Sequence, residues 1–347
     1  WQVNEKKLGC SLGELVRRVN EEGVKFGIWI EPEMISEDSG LYRERPDWAM
    51  QNPGRNPARG RNQLVLDFSR EEVREHIFDQ ICRVLDQGNI EYIKWDMNRS
   101  LTDFYSARNR QGKVAYNFVI GLYDFMEKLL AKYPKLMIEG CSGGGGRFDA
   151  GMMYYTPQIW CSDNTDAVDR LRIQYGTSFF YPMSTVSAHV SAVPNHQTGR
   201  ITSLRTRGIV AMTGAFGYEL SLSKLSAEDK EEIREQIRQY KEFEPLISRG
   251  DYYRLSNPFE DACAAWMYVS EDRTCVLLHV VILENHGNMV VNYVRLKELL
   301  PDAVYEEAVS GKRYCGSALM QAGIPIPVEM GDYRAYQFVF KAKNREN

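Results

Sequence analysis

The sequence predicts an α/β protein, a (β/α)8 barrel region followed by a small antiparallel β domain. Three observations predict it. Short apolar runs alternate with amphipathic helical stretches up to about residue 250, the spacing of parallel strands joined by helical crossovers. Polar or Gly-rich residues mass after each of the six or seven strands so counted, as at the face of a barrel where active sites sit. Beyond that point strands follow one another with turn signals and no long helices between them. The boundaries are therefore expected at 1–250 for the barrel region and 251–347 for the β domain.

Taken in order, residues 11–22 carry apolar positions at 12, 15, 16 and 19, a helical stripe. Ser11 is its expected N-cap, Glu14 completes a capping box and Gly23 closes it. Phe26–Ile30 reads as a strand, halted by Pro32 within Glu31-Pro-Glu33. Residues 37–62 are rich in Arg, Pro, Gly and Asn without a period, a long loop of the kind that is usually functional. Leu64–Phe68 is extended, 70–87 is a helix with Ser69 as N-cap, 91–96 a strand and 114–132 a helix. Leu136–Glu139 leads into Gly140–Gly146, and Gln158–Cys161 into Ser162–Asp166. A helix over 166–179, an apolar stretch around 182–192, a helix over 199–208 and a charged helix over 226–247 ending near Pro245 complete the region. Ala264–Val269, Cys275–Ile282 and Tyr336–Phe340 read as strands of the second domain.

Composition narrows the function. With 26% charged and 44% hydrophobic residues, the chain reads as a soluble globular protein. A net charge of −4 supplies no basic field, so neither nucleic acid nor an anionic membrane is expected as partner. The seven cysteines, at 10, 82, 141, 161, 263, 275 and 315, are odd in number and lack paired metal spacing. Free thiols in a reducing compartment, the cytoplasm, are expected, with no metal and no cofactor. No run reaches the roughly 18 apolar residues of a membrane span, and no signal peptide is visible. The chain opens at Trp1 without an initiator Met, so a processed or truncated piece is expected.

The chemistry gathers after the strands. Glu91–Asp96 is a short apolar strand whose last residue is a carboxylate, and period-2 alternation sends Lys94, Asp96 and Asn98 to one side. A carboxylate beside a cation and an amide is held ionised and aimed, as a nucleophile or base requires. The plainer alternative is that Asp96 caps the next helix or pairs with Lys94. Asp163 also follows a strand, and two strand-end carboxylates flanking a pocket are what glycoside hydrolysis needs. Shielding by Trp160-Cys-Ser is expected to raise its pKa, as an acid requires. Capping of the following helix by Asp163 or Asp166 is the rival reading. The glycines at 143–146 let backbone amides approach a ligand, but no phosphate-loop Lys-Ser/Thr follows. Trp29, at a strand end, either stacks on a sugar face or packs.

Five stretches carry a resemblance: Phe-Gly-Ile-Trp-Ile-Glu-Pro-Glu-Met-Ile-Ser over 26–36, Tyr-Ile-Lys-Trp-Asp-Met-Asn-Arg over 92–99, Glu139–Asp149, Trp160–Asp166 and Ser187–Gln197. In this order they resemble the signatures of the retaining α-galactosidases of glycoside hydrolase family 36, over nearly the whole chain. The resemblance implies that Asp96 is the nucleophile and Asp163 the acid/base, with Asp166 the rival. It implies that Trp29 walls the galactose pocket and that Arg61, Lys94, Asn98, Cys141 and Gly144 bind sugar hydroxyls. Ser142 and Asp166 are placed with them as substrate-binding, while Asn98, Ser142 and Arg147 are also read as support. The activity implied is hydrolysis of α-1,6-galactosides such as melibiose and raffinose by double displacement, in an enzyme whose full-length form is a homo-oligomer. Transfer to a sugar acceptor and a non-catalytic fragment are the alternatives. The family's N-terminal β-sandwich and its Asp-Asp-Gly-Trp-like motif have no counterpart here, and Tyr218–Ser223 has Ser where members often carry Asp. The resemblance therefore implies an incomplete TIM barrel, strands three to eight with the first strands absent, followed by a small antiparallel β-sandwich domain.

Overall fold

A computed structural model describes residues 2–288 and 291–343. The chain divides into two compact units, Trp1–Trp160 and Cys161–Asn347.

The first unit holds β1 (Phe26–Ile30), β2 (Met34–Ser36), β3 (Gln63–Val65), β4 (Ile90–Trp95), β5 (Met137–Gly140) and β6 (Gln158–Ile159). Four of them make a parallel sheet in the order β1-β4-β5-β6, while β2 and β3 form a separate antiparallel pair. Leu64–Phe68 thus contributes to that pair and not to the parallel sheet. Alternation along β4 decides what each face carries. Ile93 and Trp95 are fully buried in the core with Ile77 of the helix Glu71–Leu85 and Phe125 of the helix Val114–Lys132. Trp95 meets Phe125 edge to face at 5.4 Å, and each such burial is worth roughly 1.5–3 kcal/mol. Tyr92 and Lys94 take the opposite face, where they meet the buried Glu139 of β5. Glu139 accepts hydrogen bonds from Tyr92 Oη and, at 2.6 Å, from Gln158 Nε2, and pairs with Lys94 Nζ at 3.2 Å. One face is apolar and the other polar.

Local expectations hold where the partner is a near neighbour. Ser11 caps Leu12–Glu21 by accepting from Glu14 N at 3.1 Å, but the Glu14 carboxylate turns to Arg18 and closes no capping box. Ser69 does not cap the next helix. Its hydroxyl is held by Asp67 and by Asn109 Nδ2, and Arg70 stands at the N-cap without a side-chain capping bond, its guanidinium held instead by Asp47 and Glu72. The long loop contains a short helix, Gly40–Glu44, capped by Ser39, and a 3-10 turn at Pro46–Trp48.

The second unit begins with the helix Ala167–Thr177, the strand β7 (Ser187–Ser191), the helix Leu204–Ala211 and the strand β8 (Ala215–Glu219), which pairs parallel to β7. The helix Ala227–Arg249 starts on a Ser226–Asp229 capping box and runs through Pro245 instead of stopping there. Then come β9 (Asp251–Arg254), β10 (Cys263–Val269), β11 (Cys275–Ile282), β12 (Tyr293–Val294), β13 (Val304–Glu307), β14 (Arg313–Cys315), β15 (Ile324–Pro325) and β16 (Ala335–Lys343). Six of them form an antiparallel sheet ordered β14-β13-β16-β11-β10-β9, and β12 pairs with β15. β10 and β11 are buried along nearly their whole length because both faces are covered. Ala264, Trp266 and Tyr268 pack with Leu171 and Ile247 of the helices, while Ala265, Met267 and Val269 pack with Leu296, Leu299 and Leu319.

Candidate active site

Asp96 is the first residue past β4, and its backbone N donates to Ile30 O at 2.9 Å, so pairing with β1 runs one residue beyond the strand. Asp96 is 5% exposed. Its Oδ2 accepts from Trp29 Nε1 at 3.2 Å and from Asn98 Nδ2 at 2.7 Å, and its Oδ1 from Gly143 N at 3.4 Å. Three donors from β1, the segment after β4 and the glycine loop therefore aim one carboxylate, the arrangement a carboxylate nucleophile needs. Asp96 caps no helix. Lys94 reaches Glu139 instead of Asp96, and its ammonium lies 4.6 Å from the centre of the Trp160 ring.

The glycine loop explains the close approach. Gly143 and Gly144 have φ of +56° and +82°, conformations a side chain resists, and the turn presents the Gly143 amide to Asp96. Cys141, 2% exposed, sits against the same carboxylate, and burial together with the neighbouring Asp96 pushes its thiol up to about 12. Ser142 Oγ accepts from Arg147 Nε at 2.6 Å, and Arg147 Nη1 bonds both oxygens of the buried Glu33 at 2.9 and 3.0 Å. Glu33 also accepts from Trp95 Nε1 at 2.8 Å. Ser142 and Arg147 thus brace the loop.

Trp29 is 48% exposed and, with Glu31 and Gln63, lines a cleft of about 730 Å³. Arg61 is exposed on a two-residue turn, with φ of +52° followed by +60° at Asn62. That turn is closed by Gly60 N to Gln63 O at 3.1 Å and Gln63 N to Gly60 O at 2.9 Å.

Asp163 and Asp166 belong to the second unit. Asp163 is exposed, so the shielding expected for it is absent within the unit as described. Asp166 is 2% exposed and fully engaged. It caps Ala167–Thr177 through Val168 N at 2.9 Å and Asp169 N at 3.0 Å, accepts from Thr198 Oγ1 at 2.8 Å and pairs with Arg200. The capping alternative is realised at Asp166.

The structure thus gathers Trp29, Asn98, Cys141 and Gly143 around the Asp96 carboxylate. Glu31, Glu33, Gln63 and Glu139 were missed as contributors. A carboxylate directly after a strand end, as in Glu31-Pro-Glu33, was the signal available for two of them.

A family model described as Melibiase matches residues 1–250. The chain belongs to the Melibiase family. The Melibiase match is followed by one to the glycosyl hydrolase family 36 C-terminal domain over residues 263–340. Among curated Melibiase relatives, the bifunctional alpha-galactosidase/sucrose kinase AgaSK of Mediterraneibacter gnavus is 63% identical over 340 residues, covering 98% of this chain and 36% of that protein. Alpha-galactosidase AgaA of Geobacillus stearothermophilus is 48% identical, covering 99% and 47%. The solved galactosidase domain of AgaSK superposes with a TM-score of 0.96, covering 99% of this chain and 47% of that one. A variant of AgaA solved in complex with raffinose superposes with a TM-score of 0.97 at 47% identity, covering 99% and 48%. The chain spans about half the length of these relatives, or less. Its fold is accordingly that of the family 36 catalytic region, a partial barrel with a parallel sheet, followed by the antiparallel C-terminal sheet. Among the described residues no cluster of three His, Cys, Asp or Glu is arranged to hold a metal, and no helix is long and apolar enough to cross a membrane.

Proposed function

We propose that the protein containing this chain is a retaining α-galactosidase that removes terminal α-1,6-linked galactose from raffinose- and melibiose-type oligosaccharides. The observation that carries the reading is the Asp96 carboxylate, aimed by Trp29, Asn98 and Gly143 beside a half-exposed indole. Raffinose and stachyose bound to variants of AgaA supply the substrate class. Asp96 attacks the anomeric carbon while Asp163 gives its proton to the departing glycosidic oxygen; Asp163 then takes a proton from water, which opens the galactosyl–Asp96 ester. Trp29 stacks on the apolar face of the sugar, and Arg61, Lys94, Asn98, Cys141 and Gly144 meet its hydroxyls. Asp166 is given a positioning role through the helix start and Arg200. Residues 1–250 form the catalytic portion and 251–347 the accessory β domain in this reading. Seven free thiols favour a cytoplasmic setting, and self-association of the full-length protein is expected, to be checked by sedimentation.

The test uses the protein expressed from its complete reading frame. A 2-fluoro or cyclitol-type galactosyl trapping reagent is expected to inactivate it and to leave one label on the peptide holding Asp96. Asp96→Ala is expected to abolish turnover with unchanged thermal unfolding. Label on the Asp163–Asp166 peptide, or full turnover by Asp96→Ala, would overturn the assignment.

A further inference from the structure

We propose that Glu31 is a positioning residue that ties the nucleophile to the Arg61 turn, holding the Asn98 amide against Asp96 and, through Gln63, the base of that turn. The proposal rests on Asp96 as nucleophile and Arg61 as a sugar ligand, and adds a residue that acts through Asn98 and Gln63.

Glu31 follows β1 directly and is 8% exposed. Its Oε1 accepts from Asn98 Nδ2, and its Oε2 from Gln63 Nε2 at 3.3 Å. An amide NH2 has two hydrogens, and an ionised carboxylate only accepts. The same Asn98 nitrogen that serves Glu31 also serves Asp96 Oδ2 at 2.7 Å. Both hydrogens are therefore spent on two acceptors, which fixes the torsion of the amide and its nitrogen–oxygen sense. Asn98 Oδ1 is left as the atom that can accept from a sugar hydroxyl. Without Glu31, one bond to Asp96 remains, and a single bond lets the amide swing.

The second branch reaches the turn. Gln63 opens β3, and its backbone makes both hydrogen bonds that close the Gly60–Gln63 turn. Arg61 and Asn62 sit there in the left-handed region without being glycine, a strained backbone that persists only where its surroundings hold it. Arg99 Nη1 adds a bond to Gln63 O at 3.3 Å. Gln63 Oε1 is buried without a hydrogen-bond partner, so the bond to Glu31 is what orients this side chain.

The experiment measures kcat and KM on an aryl α-galactoside, with thermal unfolding, for Glu31→Ala, Glu31→Gln and Gln63→Ala in the protein from its complete reading frame. Glu31→Ala is expected to lower kcat and raise KM together, with kcat/KM falling roughly 10–100-fold, the scale of a mispositioned reacting group. Glu31→Gln is expected to restore most of that loss, because its carbonyl accepts from Asn98 and, once the Gln63 amide turns over, its NH2 donates to the unpartnered Gln63 Oε1. Gln63→Ala is expected to raise KM with kcat unchanged, since it cuts the branch to the turn alone. Wild-type kcat and KM in Glu31→Ala, or a Gln variant as damaged as the Ala variant, would overturn the proposal. Should Glu31→Ala fail to fold, the other two are read against the wild type: near-wild-type kinetics in Glu31→Gln with a raised KM in Gln63→Ala support the proposal, and a wild-type KM in Gln63→Ala overturns it. If the wild-type protein hydrolyses no α-galactoside, the functional reading fails by itself. The positioning claim is then judged by a crystal structure of Glu31→Gln beside one of Gln63→Ala. Asn98 held against Asp96 in the first and the Arg61 turn displaced in the second support it; an undisturbed turn in Gln63→Ala overturns it.

Discussion

Replacing Asp163 and Asp166, three positions apart in Ser-Asp-Asn-Thr-Asp, by Ala is expected to damage the protein in opposite ways. Asp166→Ala removes the N-cap of Ala167–Thr177, worth about 1 kcal/mol. It also strips Arg200 of a partner that is 2% exposed, and breaking a buried pair from one side costs about 3–5 kcal/mol. Arg200 keeps Asp169 Oδ1 at 3.2 Å and is itself 28% exposed, so part of that cost is recovered. A net loss of about 3 kcal/mol follows, or several degrees in Tm at roughly 2–4 °C per kcal/mol for domains of 150–250 residues. Asp163 is exposed, and its removal is expected to change stability by no more than about 0.5 kcal/mol, as for most surface positions. Its effect should lie in chemistry: hydrolysis of poor leaving groups such as a sugar should collapse, while activated aryl galactosides, which hardly need a proton, are largely spared. The assay is a pair of measurements on each variant, calorimetric Tm and the ratio of kcat/KM for raffinose to that for a nitrophenyl galactoside. A leaving-group effect at Asp166 with unchanged Tm, beside a destabilised Asp163→Ala of normal ratio, would refute the reasoning and move the acid three residues along.

Two further outcomes follow from titrating groups. Cys141 is buried with its thiol pushed up to about 12, whereas the hydrogen bond with Ser317 lowers that of the exposed Cys315; iodoacetamide at pH 8 followed by peptide mass spectrometry should therefore find Cys315 modified early and Cys141 last. His279 is fully buried against Trp266, with Nε2 at 2.9 Å from Gln337 Nε2, and burial pushes it down to about 3. Its folded pKa lies below the unfolded value near 6.5, so its contribution is complete above about pH 6.5 and is lost as pH falls toward 3, at up to about 1.4 kcal/mol per pH unit. Urea unfolding between pH 6.5 and 4.5 should thus show a steeper loss in the wild type than in His279→Leu, and parallel slopes would contradict this.

The sequence by itself determined the elements whose cause is local. Alternation from the strand at 91–96 onward assigned Lys94, Asp96 and Asn98 to one side, and Ser11 stood where its cap partner is three residues on. The five motifs carried the family, and the Gly-rich run after Glu139 marked a turn whose backbone amide comes free of its own element, here to meet Asp96. Partners distant in the chain were decided only by the tertiary structure. Lys94 reads as the companion of Asp96, two residues away, yet register opposite Glu139 on β5 gives it that carboxylate instead. Trp29 and Glu31 meet Asp96 and Asn98 across 67 residues, and Glu33 meets Arg147 across 114. Asp163 and Asp166 look equivalent as text; an arginine 34 residues on binds Asp166 into the fold. The physical reason is common to all of them. Periodicity and caps report which way a side chain leaves its own element, while the choice among several charged or amide partners depends on which strand lies alongside and in what register.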